Sequence, residues 1–175
     1  MGADPGWLRE HVRELPDHPR PGVSFKDITP LLQTPDAFAA TVDAVVAPFA
    51  AVEIDKVVGI EARGFVFAAP VAYGIGAGFV PVRKPGKLPW HVEREEYELE
   101  YGVDQLEIHR DAITAGERVL VVDDVLATGG TAAAALRLVE RLGASVVGVA
   151  VFIELEALGG RARLGTTPVH TVLSY

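Results

Sequence analysis

The stretch VLVVDDVLATGGT, residues 119–131, admits few folds. Its four apolar residues, Val119 to Val122, fit a strand of a parallel sheet that is buried on both faces. Asp123 and Asp124 stand where such a strand leaves the sheet. Ala127, Thr128, Gly129, Gly130 and Thr131 then form a loop of small residues that opens into a helical pattern from Ala132. A loop of this kind presents backbone N–H groups and the positive end of a helix dipole, so it suits a phosphate. Two carboxylates beside a phosphate cradle call for a ligand that also offers hydroxyls, with room for a divalent metal nearby. A ribose 5-phosphate meets both demands. The plainer alternative is a capped turn that glycine merely permits, but the flanking strand and helix favour the ligand. The loop is not a Walker motif, because Gly-Lys-Ser/Thr is missing. Nor does GIGAG at residues 74–78 make a dinucleotide fingerprint, since it follows a helix and precedes a strand.

A chain of 175 residues suffices for one domain with a full core, and 49% hydrophobic against 23% charged residues excludes wholesale disorder. Without cysteine there is no disulfide, thiolate nucleophile or cysteine-held metal. The five histidines include no His-x-x-x-His pair, so no protein-built metal site is expected. The net charge of -8 argues against a nucleic-acid partner. It leaves room for a small anion, because screening over roughly 8 Å makes local cations decisive. The most apolar segment, residues 65–82, is interrupted by Pro70, Gly74, Gly76, Gly78 and Pro81, so no membrane span is expected. The start of the chain lacks the apolar run of a signal peptide, and a cytoplasmic protein is expected.

Along the chain, Asp4-Pro5 opens a helix carrying Leu8, Val12 and Leu15, which PDHPRPG at residues 16–22 stops. Residues 25–32 read as irregular. Thr34-Pro35 opens a second helix with Phe38, Val42, Val45 and Phe49 on one face. Strands are expected at residues 57–60, 79–82, 119–122 and 146–153, with helices from 64 to about 73 and from 132 to 142. Residues 83–105 form a long, charged segment without a clean period, as lid loops often do. Alternating strands and helices give an α/β fold with a mostly parallel central sheet flanked by helices. Its ligands bind beyond the carboxyl ends of the strands, where the loops after Ile60, Val82, Val122 and Ile153 converge.

Three other clusters face that end. Glu61-Ala62-Arg63-Gly64 is either an ordinary strand-to-helix turn or a place where backbone N–H groups and a guanidinium meet a pyrophosphate. Arg83, Lys84 and Lys87, in RKPGKLP, make either a solvated basic turn or a clamp on a polyphosphate. In EREEYELE, residues 93–100, most acids face solvent, yet one at the foot of a lid could take a proton from a heterocyclic nucleophile. Spacing does not select which.

VVDDVLATGGT resembles the ribose-phosphate signature of the type I phosphoribosyltransferases. PGVSFKDITPLL, EARGFVF, VPVRKPGKLP and LEYGVDQLEIH extend the likeness to the adenine phosphoribosyltransferases, in order and over nearly the whole chain. The resemblance implies a single type I phosphoribosyltransferase domain with a small N-terminal hood (about residues 1–34) and a flexible lid loop (about residues 83–105). It implies transfer of the 5-phosphoribosyl group from phosphoribosyl pyrophosphate to N9 of adenine, giving AMP and pyrophosphate, as part of purine salvage. By that likeness Ala127 to Thr131 hold the 5-phosphate, and Asp123 and Asp124 bind the ribose hydroxyls. Arg63 meets the pyrophosphate, and Arg83, Lys84 and Lys87 join it from the lid and from the second subunit of a homodimer. Glu100 handles the proton at adenine, with Arg63 and Lys87 as its catalytic companions at the leaving group, and Tyr101 helps place the lid. Phe25 and the backbone of Lys26 line the adenine pocket. Mg2+ is expected on the pyrophosphate substrate, held mainly by substrate oxygens and water.

Two rivals follow. An enzyme for a 6-oxopurine would need a donor where adenine's amine needs an acceptor. A regulator that kept the sugar site without chemistry should show a basic surface, which this acidic chain lacks.

Overall fold

The computed structural model describes residues 4–98 and 102–175. Its centre is a five-stranded, all-parallel sheet in the order β4-β3-β7-β8-β9. The strands are β3 (Lys56–Ile60), β4 (Gly78–Val82), β7 (Arg118–Leu126), β8 (Ser145–Glu154) and β9 (Val169–Ser174). Period-two alternation sorts their side chains into two cores. Val58, Ile60, Val119, Val121, Val149 and Val151 pack under helix α5 (Gly130–Arg141) and an antiparallel hairpin of β5 (Val92–Glu98) and β6 (Val103–His109). Val57, Leu120, Val122, Ala150 and Phe152 face the other way, against α3 (Pro35–Val46) and α4 (Gly64–Ile75). That second core also takes Leu8 of α1 (Pro5–Glu10) and Leu31 of α2 (Thr29–Gln33). The near-continuous apolar runs of β7 and β8 are thus explained by cover on both faces.

β3 and β7 are neighbours in the sheet, while the chain runs from β3 outward to β4 and from β7 outward to β8. The crevice between them at the carboxyl end is a topological switch point, where open α/β sheets bind ligands.

Several expectations need correction. The first helix ends at Glu10, and Leu15 belongs instead to β1 (Arg13–Leu15), paired antiparallel with β2 (Phe25–Asp27). Residues 25–32 are accordingly ordered as β2 and the start of α2 rather than irregular. A partner ten or more residues away supplies the backbone bonds here, and helical spacing of apolar residues cannot reveal it. Residues 83–105 are not a loop without regular structure: residues 92–98 and 103–105 belong to the paired strands β5 and β6. Its inward positions on β5 are Glu93, Glu95 and Tyr97, so ion pairs replace the hydrophobic alternation that announces a strand. β7 runs on through both aspartates to Leu126, and α5 begins at Gly130. β9 was unanticipated, because two short 3-10 turns (Glu156–Leu158 and Gly160–Leu164) replace the usual crossover helix before it.

Candidate active site

Pairing of β3 with β7 ends at Gly59 and Val122. Beyond that point β7 keeps only β8 beside it, with Asp123 opposite Val151. The vacated side is filled by the chain turning from β3 into α4. Gly64 lies so close that a Cβ there would sit 2.6 Å from Asp123 Oδ1. Both aspartates are buried, at 9% and 6% exposure, and the Asp124 N–H donates to Asp123 Oδ1 at 2.9 Å. Arg63 Nε lies 2.8 Å from Asp124 Oδ2. That pair lacks the alignment of a hydrogen bond, and among the described residues Asp124 Oδ2 has no donor. A buried carboxylate oxygen in that position is primed to accept from a ligand hydroxyl.

Both carboxyls keep their protons to higher pH than an ordinary aspartate. For Asp123 the main cause is burial, followed by the neighbouring Asp124 charge. For Asp124 burial outweighs the opposing attraction of Arg63. Above the ordinary aspartate range the folded chain therefore binds more protons than the unfolded chain, and the pair subtracts stability as pH rises. Asp123→Asn keeps an oxygen for the Asp124 N–H. It is expected to raise the neutral-pH melting temperature by roughly 3–6 °C while activity falls. The gain should fade toward about pH 4, where a free aspartate protonates. Melting no higher than wild type at neutral pH would refute the account of the pair.

The next residues make a small, backbone-lined cradle. Gly129, at φ +80°, precedes α5, and among the described residues no side chain caps that helix N-terminus. The first N–H groups of a 12-residue helix are thus left pointing outward. Asp123, Val125, Leu126 and residues 127–132 enclose a cavity of about 80 Å³, the space of a few water molecules. The cradle is braced from behind by a residue that sequence reasoning missed. A Cβ on Gly160 would meet Ala127 O at 2.2 Å, and one on Gly129 would meet Gly160 O at 2.3 Å. Only glycine at both positions lets the two backbones touch. Arg161 fixes this brace: its Nε donates to Glu154 Oε1 at 3.0 Å, its Nη2 to Glu154 Oε2, and its Nη1 to Val169 O at 2.9 Å. Those bonds from Arg161 lead the effects that hold the Glu154 carboxyl below its ordinary pKa. The Gly159-Gly160 pair after a strand was the available signal.

The cations gather around Glu61, at the end of β3. Glu61 Oε2 accepts from Arg83 Nε at 3.0 Å and from the Lys84 N–H at 2.8 Å, and Oε1 accepts from Lys87 Nζ at 2.8 Å. Burial pushes the Glu61 carboxyl up, but these three bonds together bring it below its ordinary pKa. The Lys84 ammonium itself turns to Asp104 and to Tyr97 Oη. Glu61 and Asp104 are further site-facing acids that the sequence did not single out. Buried Glu107 braces the same turn, accepting from the Gly86 N–H at 3.0 Å and from Arg94 Nε at 2.7 Å.

From the hood, the Phe25 ring lies 5.4 Å from the Arg63 guanidinium, so Arg63 joins β2 to the aspartates. The Lys26 ammonium points elsewhere, 2.8 Å from Glu14 Oε1 and 4.3 Å from the Tyr175 ring. The structure thus brings together Phe25, Arg63, Asp123, Asp124 and the cradle of Ala127 to Thr131, with Arg83, Lys84 and Lys87 collected at the adjacent strand end. Glu100 and Tyr101 lie outside the described residues. Among the described residues no three acids or histidines form a metal cluster, and no helix is long and apolar enough to cross a membrane.

A five-stranded parallel sheet with a crevice at its switch point is the fold of the type I phosphoribosyltransferases, and the phosphoribosyl transferase domain family matches residues 37–166. An adenine phosphoribosyltransferase of Acidothermus cellulolyticus is 60% identical over 172 residues, spanning 98% of this chain and 97% of its own. The crystal structure of adenine phosphoribosyltransferase from Rhodothermus marinus superposes with a TM-score of 0.93 at 53% identity, covering 98% of each chain. That of the Saccharomyces cerevisiae enzyme, complexed with an imino-altritol bisphosphate and adenine, gives 0.92 at 43% identity over 97% of this chain and 98% of its own. The chain belongs to the adenine phosphoribosyltransferase family.

Proposed function

We propose that this chain transfers the 5-phosphoribosyl group of phosphoribosyl pyrophosphate to N9 of adenine, releasing pyrophosphate and AMP for purine salvage. The observation that carries the residue-level reading is Asp124 Oδ2, a buried oxygen with no aligned donor among the described residues, followed along the chain by a helix N-terminus that no described side chain caps. One neighbour suits a hydroxyl and the other a phosphate, as a ribose 5-phosphate requires.

On this reading the backbone N–H groups of Ala127 to Thr131 hold the 5-phosphate, and Asp123 and Asp124 accept from the ribose hydroxyls. Pyrophosphate leaves as C1′ gains oxocarbenium character. The buried carboxylates stabilise that positive charge, and Arg63, Arg83 and Lys87 stabilise the negative charge on the departing oxygens. Lys84 serves chiefly to order the turn, since its N–H is given to Glu61 and its ammonium to Asp104. Adenine sits against Phe25 and the backbone of Lys26, whose side chain is committed to Glu14 and Tyr175. Glu100 manages the proton of the incoming base, and Tyr101 places the lid that excludes water.

Mg2+ accompanies phosphoribosyl pyrophosphate. The donor set fits a metal held through substrate oxygens and water: among the described residues the adjacent buried acids are Asp123 and Asp124, and the Arg63 guanidinium already lies 2.8 Å from Asp124 Oδ2. When bound, the ion neutralises pyrophosphate charge. We take the active form to be a cytoplasmic homodimer; what supports a second subunit is apolar surface at exposed Tyr73 on α4 and at Phe79 on edge strand β4. Neither nucleic acid nor a membrane is a partner.

Pyrophosphate release with phosphoribosyl pyrophosphate, Mg2+ and each purine base tests the assignment. Turnover is expected with adenine, and turnover with guanine or hypoxanthine alone would reverse it. Lys87→Ala is expected to raise the KM for phosphoribosyl pyrophosphate about tenfold, the worth of one charged hydrogen bond. Unchanged KM would remove Lys87 from the pyrophosphate site.

A further inference from the structure

The basic turn presents a physical problem. Arg83, Lys84 and Lys87 crowd three positive charges into five residues of a Pro- and Gly-containing segment, where mutual repulsion favours splaying into water. A turn left to itself would order only when an anion arrived, and the ligand would bear that ordering cost.

Glu61 answers it. Its side chain is 7% exposed and is anchored by its own backbone, whose N–H donates to Val82 O at 2.9 Å. Through two carboxylate oxygens it engages Arg83, the Lys84 N–H and Lys87. The donors it uses are the important detail. Arg83 gives it only Nε, and Arg83 Nη1 reaches Lys87 O at 3.4 Å, which closes the turn on itself. The guanidinium has five N–H donors and the ammonium three, so both cations retain donors for an incoming anion. The same residue precedes Ala62 and Arg63, the turn that reaches Asp124. One carboxylate therefore ties both cationic segments to the end of β3.

We infer that Glu61 is a positioning residue for pyrophosphate: it holds Arg83 and Lys87 in place before the substrate binds, without exhausting their donors. The inference rests on the reading above that this turn meets the pyrophosphate group. Its distinguishing consequence is selectivity. Losing Glu61 should weaken phosphoribosyl pyrophosphate and pyrophosphate alike and leave adenine alone.

The test is steady-state kinetics of the full chain carrying Glu61→Gln, with Glu61→Asp as a second variant that keeps the charge on a shorter arm. Glu61→Gln is expected to raise the KM for phosphoribosyl pyrophosphate and the inhibition constant of pyrophosphate about tenfold, with adenine KM within about twofold. Glu61→Asp should fall between it and wild type. Because the effect passes through the cations, adding Glu61→Gln to Lys87→Ala should change these constants less than it does in wild type. Equal rises for adenine and phosphoribosyl pyrophosphate, or strict additivity with both Lys87→Ala and Arg83→Ala, would show general support of the fold and overturn the inference. So would wild-type constants in Glu61→Gln or Glu61→Asp while Lys87→Ala still weakens pyrophosphate, a result that leaves the site assignment standing. Wild-type constants in Lys87→Ala and Arg83→Ala as well would remove the site assignment and the inference together.

Discussion

Gly160→Ala is expected to cripple this protein although residue 160 need touch no ligand. The added methyl group would lie 2.2 Å from Ala127 O and 2.8 Å from Gly129 N, both backbone atoms of the cradle. No rotamer relieves such a contact, so the cradle or the 159–160 turn must move. The turn resists, because Arg161 ties it to Glu154 and to Val169 O. The cradle therefore shifts, and a displacement near 1 Å costs roughly 100-fold in turnover when a reacting group must be held in line. Overpacking of this kind also destabilises by about 1–3 kcal/mol, or several degrees in melting temperature. The expected result is kcat/KM for phosphoribosyl pyrophosphate down about 100-fold in a chain that still melts cooperatively. Activity within twofold of wild type would show that the cradle's position does not depend on this contact.

Asp124→Asn should be as damaging for a different reason. Its Oδ2 is the buried oxygen without a donor, and the substitution removes its charge and places an N–H donor at one of the two acceptor positions. If the oxygen accepts a ribose hydroxyl, a charge-assisted bond is lost and one donor is set against another, and kcat/KM for phosphoribosyl pyrophosphate falls about 100-fold. Arg63 loses its ion-pair partner as well. Stability should not suffer, since a buried charge has been removed. A loss of less than about threefold would mean that the sugar is gripped elsewhere.

What could be read from the chain alone follows a physical division. Strands β3, β7 and β8 announce themselves because burial on both faces demands unbroken apolar runs, and Val119 to Val122 is the plainest case. The cradle and its two acids were legible because their order between strand and helix is local. The β1–β2 pair was not, since its bonds join residues far apart in sequence. The β5–β6 hairpin hid because Glu95, clasped by Arg137 and Arg141 of α5, occupies an inward position where leucine would have been expected. The same limit applies to function. Glu61 stood in view beside Arg63, but its bonds to Arg83 and Lys87 cross 22 and 26 residues. Gly160 meets Ala127 only because β8 returns to the same end of the sheet as β7.

The most direct test is a crystal structure of this chain bound to AMP. The account predicts the 5-phosphate within hydrogen-bond distance of the N–H groups of residues 127–131, and a ribose hydroxyl on Asp124 Oδ2. A phosphate bound away from that loop, with Asp123 and Asp124 in contact with water alone, would contradict it.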